Sequence, residues 1–218
     1  MKPTAVLWDL DDTLLNTLPG RMTALAHAYE TVVGGKTDPM ALWISHRGGT
    51  LEDLGRRLVG DNYQRFATAY RDRYYTLDRN ISPFEGIQPV LEAFLEGEIP
   101  MAVVTSKVAW GATEELSRAG LLRYFQAVVG FDDTDLHKPD PEPIFTAMER
   151  ICIDEPDGVL FIGDSPADVW AARNAGCTSV AALWGTLDAE LLLDAKPDHA
   201  VKSPTEILAL IQESLATP

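Results

Sequence analysis

Short apolar segments that alternate with amphipathic stretches constrain the fold of this chain more than any other feature. The candidate strands are Ala5–Trp8, Met101–Val104, Ala127–Val129, Val159–Ile162 and Ser179–Ala182. The candidate helices after position 83 are Gln88–Glu96, Ala109–Ala119, Pro141–Ile151, Pro166–Ala175 and Pro204–Leu215. Strands that alternate with helices form parallel sheets covered on both faces. The sequence therefore predicts an α/β fold with a Rossmann-like, doubly wound parallel sheet as its core.

Residues 17–82 have a different character, because they contain no convincing apolar strand. Their apolar residues form three stripes with helical spacing: Met22 to Val33, Leu51 to Leu58, and Phe66, Tyr70 and Tyr74. The aromatic stripe is more typical of core packing than of a ligand cage. We therefore predict a core domain of residues 1–16 and 83–218, with an α-helical domain of residues 17–82 inserted after the first strand.

Composition narrows the possible partners. The chain has 218 residues, with 18 Lys+Arg against 33 Asp+Glu and a formal charge of -15. Such a surface repels nucleic acid and anionic membranes. Cys152 and Cys177 lack zinc-site spacing and are expected to be buried thiols in a reducing compartment. With no signal-peptide pattern and no 18-residue apolar run, we expect a cytoplasmic monomer or homodimer that binds neither nucleic acid nor membrane.

Two carboxylates follow the first candidate strand. Asp9 and Asp11 flank Leu10, so strand alternation would point both the same way. A buried carboxylate is costly without a cation or a proton. One of the pair could attack a substrate, the other could move a proton, and a divalent cation could neutralise both. Acidic residues after a strand are also ordinary helix caps, so this pair alone is not decisive.

Polar residues also follow the next two strands, and ligands bind at the carboxyl ends of parallel strands. Thr105, Ser106 and Lys107 offer hydroxyls and backbone N–H groups to an anion, although a helix cap explains them equally well. Lys138 precedes a proline-fixed helix start and could present its ammonium to a phosphate or to a nucleophile. Taken alone, it is more simply a solvated loop lysine.

The fourth strand is followed by Gly163, which permits a tight turn, and by two more carboxylates. Asp164 lies at the strand end and Asp168 in the first turn of the next helix. Together with Asp9 they form an oxygen-rich set of ligands suited to Mg²⁺. The sequence therefore predicts a magnesium site.

This combination of motifs resembles the haloacid dehalogenase-like hydrolase superfamily. The matching residues are Asp9 to Thr13, Thr105, Lys138-Pro139, and Gly163-Asp164 with Asp168. The helical insertion resembles the subfamily with a small helical cap. The segments Phe84–Ile87 and Lys138–Pro143 resemble phosphoglycolate-phosphatase-like members. Relatives often carry glycine at position 12, where this chain has Asp12, as some phosphatases of the family do.

The resemblance implies a role for each matching residue. Asp9 would be the nucleophile that forms an aspartyl-phosphate, and Asp11 would protonate the leaving oxygen and later deprotonate water. Magnesium would be held by the Asp9 carboxylate, the Asp11 carbonyl and Asp164, with Asp168 supporting it directly or through water. The phosphoryl oxygens would be held by Thr105, Ser106 and Lys138.

Asp11 discriminates between chemistries, because dehalogenases and phosphonate-cleaving relatives lack a carboxylate at its position. An alkoxide leaving group needs a proton donor, whereas a halide does not. The sequence therefore favours a magnesium-dependent phosphatase acting on a small phosphorylated metabolite, such as phosphoglycolate. Three alternatives stay open: a β-phosphoglucomutase-like mutase, a pyrophosphatase, and a catalytically silent binding or regulatory protein.

Substrate selection is expected in the helical domain. The segment Ser45–Thr50 interrupts two helical patterns, where Arg47 could bind a carboxylate or second phosphate and His46 could hydrogen-bond it. A solvated connecting loop explains the segment equally well. In β-phosphoglucomutase-like relatives, an arginine of the cap binds the second phosphate of the substrate. The corresponding position in this chain falls near Leu51, so the mutase alternative is less favoured.

Overall fold

The computed structural model describes residues 2–46, 50–77 and 81–210. The chain divides into two compact units: a core unit, Met1–Asn16 with Ile81–Pro218, and a helical unit, Thr17–Asn80. Over the described ranges, no helix combines the length and apolar character needed to cross a membrane.

The described part of the core unit contains one sheet of six parallel strands. In chain order they are β1 (Ala5–Trp8), β2 (Met101–Val104), β3 (Ala127–Val129), β4 (Val159–Gly163), β5 (Thr178–Ala182) and β6 (His199–Val201). Their order across the sheet is β3-β2-β1-β4-β5-β6. The five predicted strands are confirmed, with β4 and β5 each one residue longer. The sequence patterns did not list β6 as a strand.

Helices occupy both units. Those of the helical unit are α1 (Leu18–Val32), α2 (Pro39–His46), α3 (Leu51–Val59) and α4 (Tyr63–Thr76). Those of the core unit are α5 (Ile87–Glu96), α6 (Ala109–Arg118), α7 (Glu142–Arg150), α8 (Pro166–Ala175) and α9 (Ala189–Asp194). Helices α5 to α8 match their predicted ranges to within one residue at each end, and α9 was not predicted. Residues 206–210 are helical, and the rest of the helix predicted for Pro204–Leu215 lies outside the described residues.

Apolar side chains cover both faces of the sheet. Because successive residues of a strand point to opposite faces, Val6 and Trp8 join a cluster with α5 and α6, whereas Leu7 joins a cluster with α7 and α8. All four residues of β1 are buried. This two-sided burial confirms the predicted doubly wound α/β fold.

The helical unit has an apolar core of its own. Leu25, Leu54 and Phe66 are buried in that core, and the rings of Tyr70 and Tyr74 stack with their centroids 5.8 Å apart. Phe66 and Tyr74 are fully buried, as expected for packing residues.

The chain leaves and re-enters the core unit along two paired backbone segments. The N–H of Asn16 donates to the carbonyl of Ser82 at 3.0 Å, and that of Phe84 donates to the carbonyl of Leu14 at 3.1 Å. Leu15 and Pro83 form an antiparallel bridge between these bonds.

Both cysteines are free thiols. Cys177 is buried, and burial raises the pKa of its thiol to about 12. The expectation of a second buried thiol is wrong, because Cys152 lies in the exposed turn after α7 with a φ of 59°.

Candidate active site

The sheet order brings together residues that are far apart in the sequence. Strands β2, β1 and β4 are neighbours, so their carboxyl ends lie along the same edge of the sheet. Thr105 follows β2, Asp9 follows β1, and Asp164 follows β4. Asp168 reaches the same edge from the first turn of α8.

The ammonium group of Lys138 connects two of these residues, Asp9 and Asp168. Its Nζ lies 2.7 Å from Oδ1 of Asp9 and 2.6 Å from Oδ1 of Asp168, and it donates to the carbonyl of Val104 at 3.2 Å. The Lys138 side chain is only 6% exposed. The alternative of a solvated loop lysine is therefore wrong.

Burial and charge act against each other at this cluster. Burial raises the pKa of Asp9 to about 7, although the neighbouring Lys138 ammonium lowers it, and the carboxylates of Asp168 and Asp11 raise it further. Burial opposes the charge of Lys138, yet Asp168 and Asp9 outweigh it and raise the pKa of that ammonium. Lys138 therefore stays charged, and the buried carboxylates around it favour additional positive charge.

Three carboxylates have the spacing of a metal site. Asp9, Asp164 and Asp168 each present an oxygen atom, and these atoms lie within 4.8 Å of one another. The hydroxyl of Thr13 donates to Oδ1 of Asp164 at 3.3 Å. Oxygen ligands at this spacing fit a divalent cation such as Mg²⁺.

Both carboxylate oxygens of Asp168 already accept hydrogen bonds. Oδ1 accepts from Lys138, and Oδ2 accepts from the backbone N–H and the hydroxyl of Ser165 at 3.0 and 2.6 Å. A Cβ on Gly163 would lie 2.4 Å from Cβ of Asp168, which is closer than two such atoms can approach. The requirement for glycine at position 163 therefore comes from this close packing rather than from the tight turn suggested by the sequence.

Asp11 belongs to a second cluster of charged side chains. Nζ of Lys107 lies 2.8 Å from Oδ1 of Asp11 and also pairs with Glu115 on α6. The sequence patterns gave Lys107 only a place in an anion cradle and did not single out Glu115. One indication of Glu115 was available in the sequence: this carboxylate falls on the apolar stripe of α6, with Ala112 and Leu116, which are both buried.

The loop that carries Asp11 is braced by residues after β5, which the sequence patterns also missed. Asp12 has a left-handed φ of 63°, which explains why relatives often carry glycine there, and aspartate tolerates this region better than most residues. Nε1 of Trp184 donates to the carbonyl of Thr13 at 3.0 Å. A Cβ on Gly185 would lie 1.5 Å from the carbonyl oxygen of Asp12, so only glycine fits against this loop.

The comparison with known families agrees with this geometry. Residues 6–182 match the family described as haloacid dehalogenase-like hydrolase. The chain belongs to this family. It is 35% identical over 215 residues to "Putative pyrophosphatase PpaX" of Caldanaerobacter subterraneus, covering 97% of this chain and 96% of that protein.

Two further relatives of this hydrolase cover nearly the whole chain. Phosphoglycolate phosphatase of Escherichia coli is 28% identical over 229 residues, covering 93% of this chain and 90% of that protein. A solved structure of a haloacid dehalogenase-like hydrolase from Streptococcus pneumoniae superposes with a TM-score of 0.84 at 24% identity, covering 97% of this chain and 99% of that one. This last similarity supports the fold.

The remaining predicted site residues of the hydrolase lie in different places. Thr105 is buried and its hydroxyl accepts the N–H of Lys107 at 3.1 Å, whereas Ser106 is exposed. His46 ends α2 in the helical unit, where a ring nitrogen donates to the carbonyl of Thr50 at 2.9 Å and burial lowers its pKa. Arg47 lies outside the described residues.

Proposed function

We propose that this hydrolase is a Mg²⁺-dependent phosphatase that cleaves a small phosphorylated metabolite through an aspartyl-phosphate on Asp9. The observation that carries the proposal is the ammonium of Lys138 between the buried carboxylates of Asp9 and Asp168, with Asp164 beside them. The names of the relatives support phosphate chemistry, because one is a phosphoglycolate phosphatase and another is named as a pyrophosphatase.

Asp9 acts as the nucleophile in this proposal. A carboxylate oxygen of Asp9 forms a bond to phosphorus while the bond from phosphorus to the leaving oxygen breaks, and Asp11 gives that oxygen a proton. Water then attacks the phosphorus of the aspartyl-phosphate while the bond from phosphorus to the Asp9 oxygen breaks, which releases phosphate and restores the Asp9 carboxylate, and Asp11 takes a proton from the water. Lys138 stabilises the charge as a carboxylate approaches an anionic phosphate.

The carboxylates of Asp9 and Asp164 and the backbone carbonyl of Asp11 are the proposed Mg²⁺ ligands. Their chemistry fits this ion, because Mg²⁺ prefers oxygen ligands and the cluster holds more carboxylates than ammonium groups. When bound, Mg²⁺ supplies electrostatic stabilisation of the phosphoryl oxygens. Both oxygens of Asp168 are already engaged, so we assign Asp168 to holding Lys138 and to supporting the ion through water.

Thr105, Ser106 and Lys138 are proposed to hold the phosphoryl oxygens. Residues 17–82 are proposed to serve as a helical cap domain that selects the substrate, with His46 and Arg47 as its recognition residues. This assignment rests on the resemblance to capped members of the family.

Pyrophosphate is a second candidate substrate beside phosphoglycolate. The relative with 35% identity is named as a pyrophosphatase, which favours it, and the relative with 28% identity is named a phosphoglycolate phosphatase. Both reactions transfer a phosphoryl group to the same nucleophile, so they differ only in the leaving group, which is phosphate for pyrophosphate and glycolate for phosphoglycolate.

The testing experiment is phosphate release from phosphoglycolate, pyrophosphate, sugar phosphates and other small esters, with Mg²⁺ or with EDTA. We expect one strongly preferred substrate and loss of activity in EDTA. Asp9→Asn removes the nucleophile and should lower turnover by about a thousandfold or more without unfolding the protein. Asp154→Asn, an exposed carboxylate of the core unit, is the matched control and should retain full turnover.

The outcomes separate the alternatives. Asp9→Asn turnover above about a hundredth of wild type would contradict the nucleophile assignment. Isomerisation of a sugar phosphate without net phosphate release would favour the mutase. An absence of any reaction, with no stabilisation by Mg²⁺, would favour a binding role.

A further inference from the structure

We propose that Lys107, anchored by the buried Glu115, is a positioning residue that orients Asp11 toward the leaving-group oxygen. The inference rests on the proposed function, in which Asp11 is the proton donor to that oxygen. The relatives' names and the family match do not assign a role to Lys107 or Glu115.

The three side chains form a continuous chain of charged contacts inside the core unit. Nζ of Lys107 is 2.8 Å from Oδ1 of Asp11 and donates to Oε2 of Glu115. The exposed fractions of the side chains fall from 14% for Asp11 to 9% for Lys107 and 0% for Glu115. The contacts therefore run from the edge of the candidate site into the interior.

Glu115 fixes the ammonium because a fully buried carboxylate is costly unless it is paired. Its position on α6 places it one helical turn before the end of that helix, among buried apolar residues. The backbone of Lys107 is also held: its N–H donates to the hydroxyl of Thr105, and its carbonyl accepts the N–H of Phe131 at 2.8 Å. Lys107 thus has little freedom at either end of its side chain.

A fixed ammonium restricts the rotation of the Asp11 carboxyl group. Proton transfer to a leaving oxygen requires that group within hydrogen-bonding reach of the oxygen, and small displacements lower the rate. During the step, Asp11 loses its proton to the leaving oxygen as the phosphorus–oxygen bond breaks. Lys107 keeps all its protons: it holds the carboxyl group in place, and its positive charge favours the carboxylate that Asp11 becomes.

The test uses the dependence of the rate on the leaving group. A poor alkoxide leaving group needs the proton of Asp11, whereas acetyl phosphate and 4-nitrophenyl phosphate release stable anions without it. For Lys107→Met, we expect kcat/KM for the best alkyl phosphate to fall by about 30-fold, which is less than the roughly hundredfold or more that general acid catalysis contributes, because Asp11 itself is still present. For the two activated substrates we expect a fall below about threefold, with KM for every substrate within about twofold of wild type.

Glu115→Gln is the second variant, because it keeps the shape of the side chain and removes its charge. We expect the same preference for activated substrates, with a smaller fall of about fivefold for the alkyl ester. Lys202→Met and Glu114→Gln are the matched controls, since Lys202 is exposed and Glu114 pairs with Arg118 on α6. Neither control should change the ratio of kcat/KM for the alkyl phosphate to kcat/KM for the activated substrates. Urea unfolding and circular dichroism check that every variant is folded.

Three results would overturn the inference. An equal loss for alkyl and activated substrates with a raised KM would mean that Lys107 contacts the substrate. A loss of stability without any change in the rate ratio would make the cluster merely structural. A wild-type protein inactive toward every phosphate would overturn the proposed function as well, whereas the first two results leave that function standing.

Discussion

The two units of the molecule treat charged side chains in opposite ways. The core unit buries the carboxylates of Asp9, Asp12, Asp168 and Glu115, and Asp9, Asp168 and Glu115 each form an ion pair with a lysine. The described part of the helical unit, residues 17–46 and 50–77, buries Thr17 but no charged side chain. Its Arg56–Asp53 pair leaves the two side chains 53% and 51% exposed, compared with 6% and 8% for Lys138–Asp9.

This difference shows where the fold accepts an energetic cost. Burying a charge costs several kcal/mol unless it is well paired, so buried ion pairs add little net stability. In the core unit these pairs cluster at the carboxyl ends of β1, β2 and β4, which is the edge where open parallel sheets bind ligands. The helical unit is held together by apolar packing around Leu25, Leu54 and Phe66.

Among the variants that test this difference between the units, Lys138→Ala is expected to have the largest effect. Removing the ammonium leaves the carboxylates of Asp9 and Asp168 unneutralised, so turnover should fall by at least about a hundredfold. Steady-state phosphate release would measure it, with Lys202→Ala as the control for an exposed lysine. Turnover above about a tenth of wild type would contradict the importance of the buried pair.

The same variant should also lose about 3 kcal/mol of unfolding free energy, because two buried carboxylates lose their partner. Mg²⁺ should restore more stability to Lys138→Ala than to wild type, since a bound cation replaces the missing positive charge. Urea unfolding with Mg²⁺ and with EDTA would detect this difference. Equal stabilisation of the two proteins would argue against a cation at the carboxylate cluster.

The next largest effect is expected from a variant in the apolar core of the helical unit. Leu54 is fully buried there, so Leu54→Ala should lower the unfolding free energy by about 2–3 kcal/mol through lost burial and a cavity. Leu58→Ala, on the same helix but only partly buried, should cost less. Urea denaturation followed by circular dichroism compares the two, and equal losses would contradict the assigned core.

A smaller effect is expected at Asp198, a charged residue of the core unit outside the candidate site. Burial acts to raise its pKa, but hydrogen bonds from the hydroxyl and N–H of Ser179 lower it below its usual value. Its contribution is therefore complete above the unfolded pKa of about 3.9 and is lost as the pH falls through the folded value. Because Asp198 is exposed and water screens its charge, Asp198→Asn should cost less than about 1 kcal/mol at pH 7.

The pH dependence is the decisive part of that prediction. The stability difference between wild type and Asp198→Asn should shrink toward zero as the pH falls below the unfolded pKa of about 3.9 and through the lower folded pKa. Thermal unfolding at a series of pH values measures it. A difference that grows as the pH falls would have the wrong sign and would contradict the assignment of Asp198 as a carboxylate stabilised by Ser179.

The smallest effect is expected at an exposed pair of the core unit. Arg118 pairs with Glu114 one turn away on α6, and their side chains are 59% and 30% exposed. Arg118→Ala should change the unfolding free energy by less than about 0.5 kcal/mol. A cost comparable to that of Lys138→Ala would show that exposure does not decide the value of a pair.

Sequence patterns predicted the sheet well because each of β1 to β5 is a short, continuously apolar segment. They did not list β6, which is as short as β3 but begins with a histidine and leaves two of its three residues exposed. They did not predict α9, because its six residues are too few for a helical period to stand out. The proximity of Asp9 and Asp164 was also predictable, since both follow strands whose ends must share one edge of a parallel sheet.

The contacts of Asp11 could not be predicted in the same way. Lys107 and Glu115 follow a different strand. The pairing of Lys107 with Asp11 and with Glu115 depends on how α6 packs against the sheet. The brace formed by Trp184 and Gly185 comes from the far end of β5. The periodicity of apolar residues along a segment cannot predict such contacts, because each contact depends on packing between elements distant in the sequence.

The central position of the first strand has a consequence for synthesis on the ribosome. β1 is made first, yet Val6 pairs with Met101 and Leu160. Contacts between residues so distant in sequence form late, after the chain between them has been made. Helices α1 to α4 are synthesised before either partner strand. The apolar segment Ala5–Trp8 therefore has no partner strand until residues 101–104 and 159–163 have been made, and unpaired apolar strands are prone to aggregate during that interval.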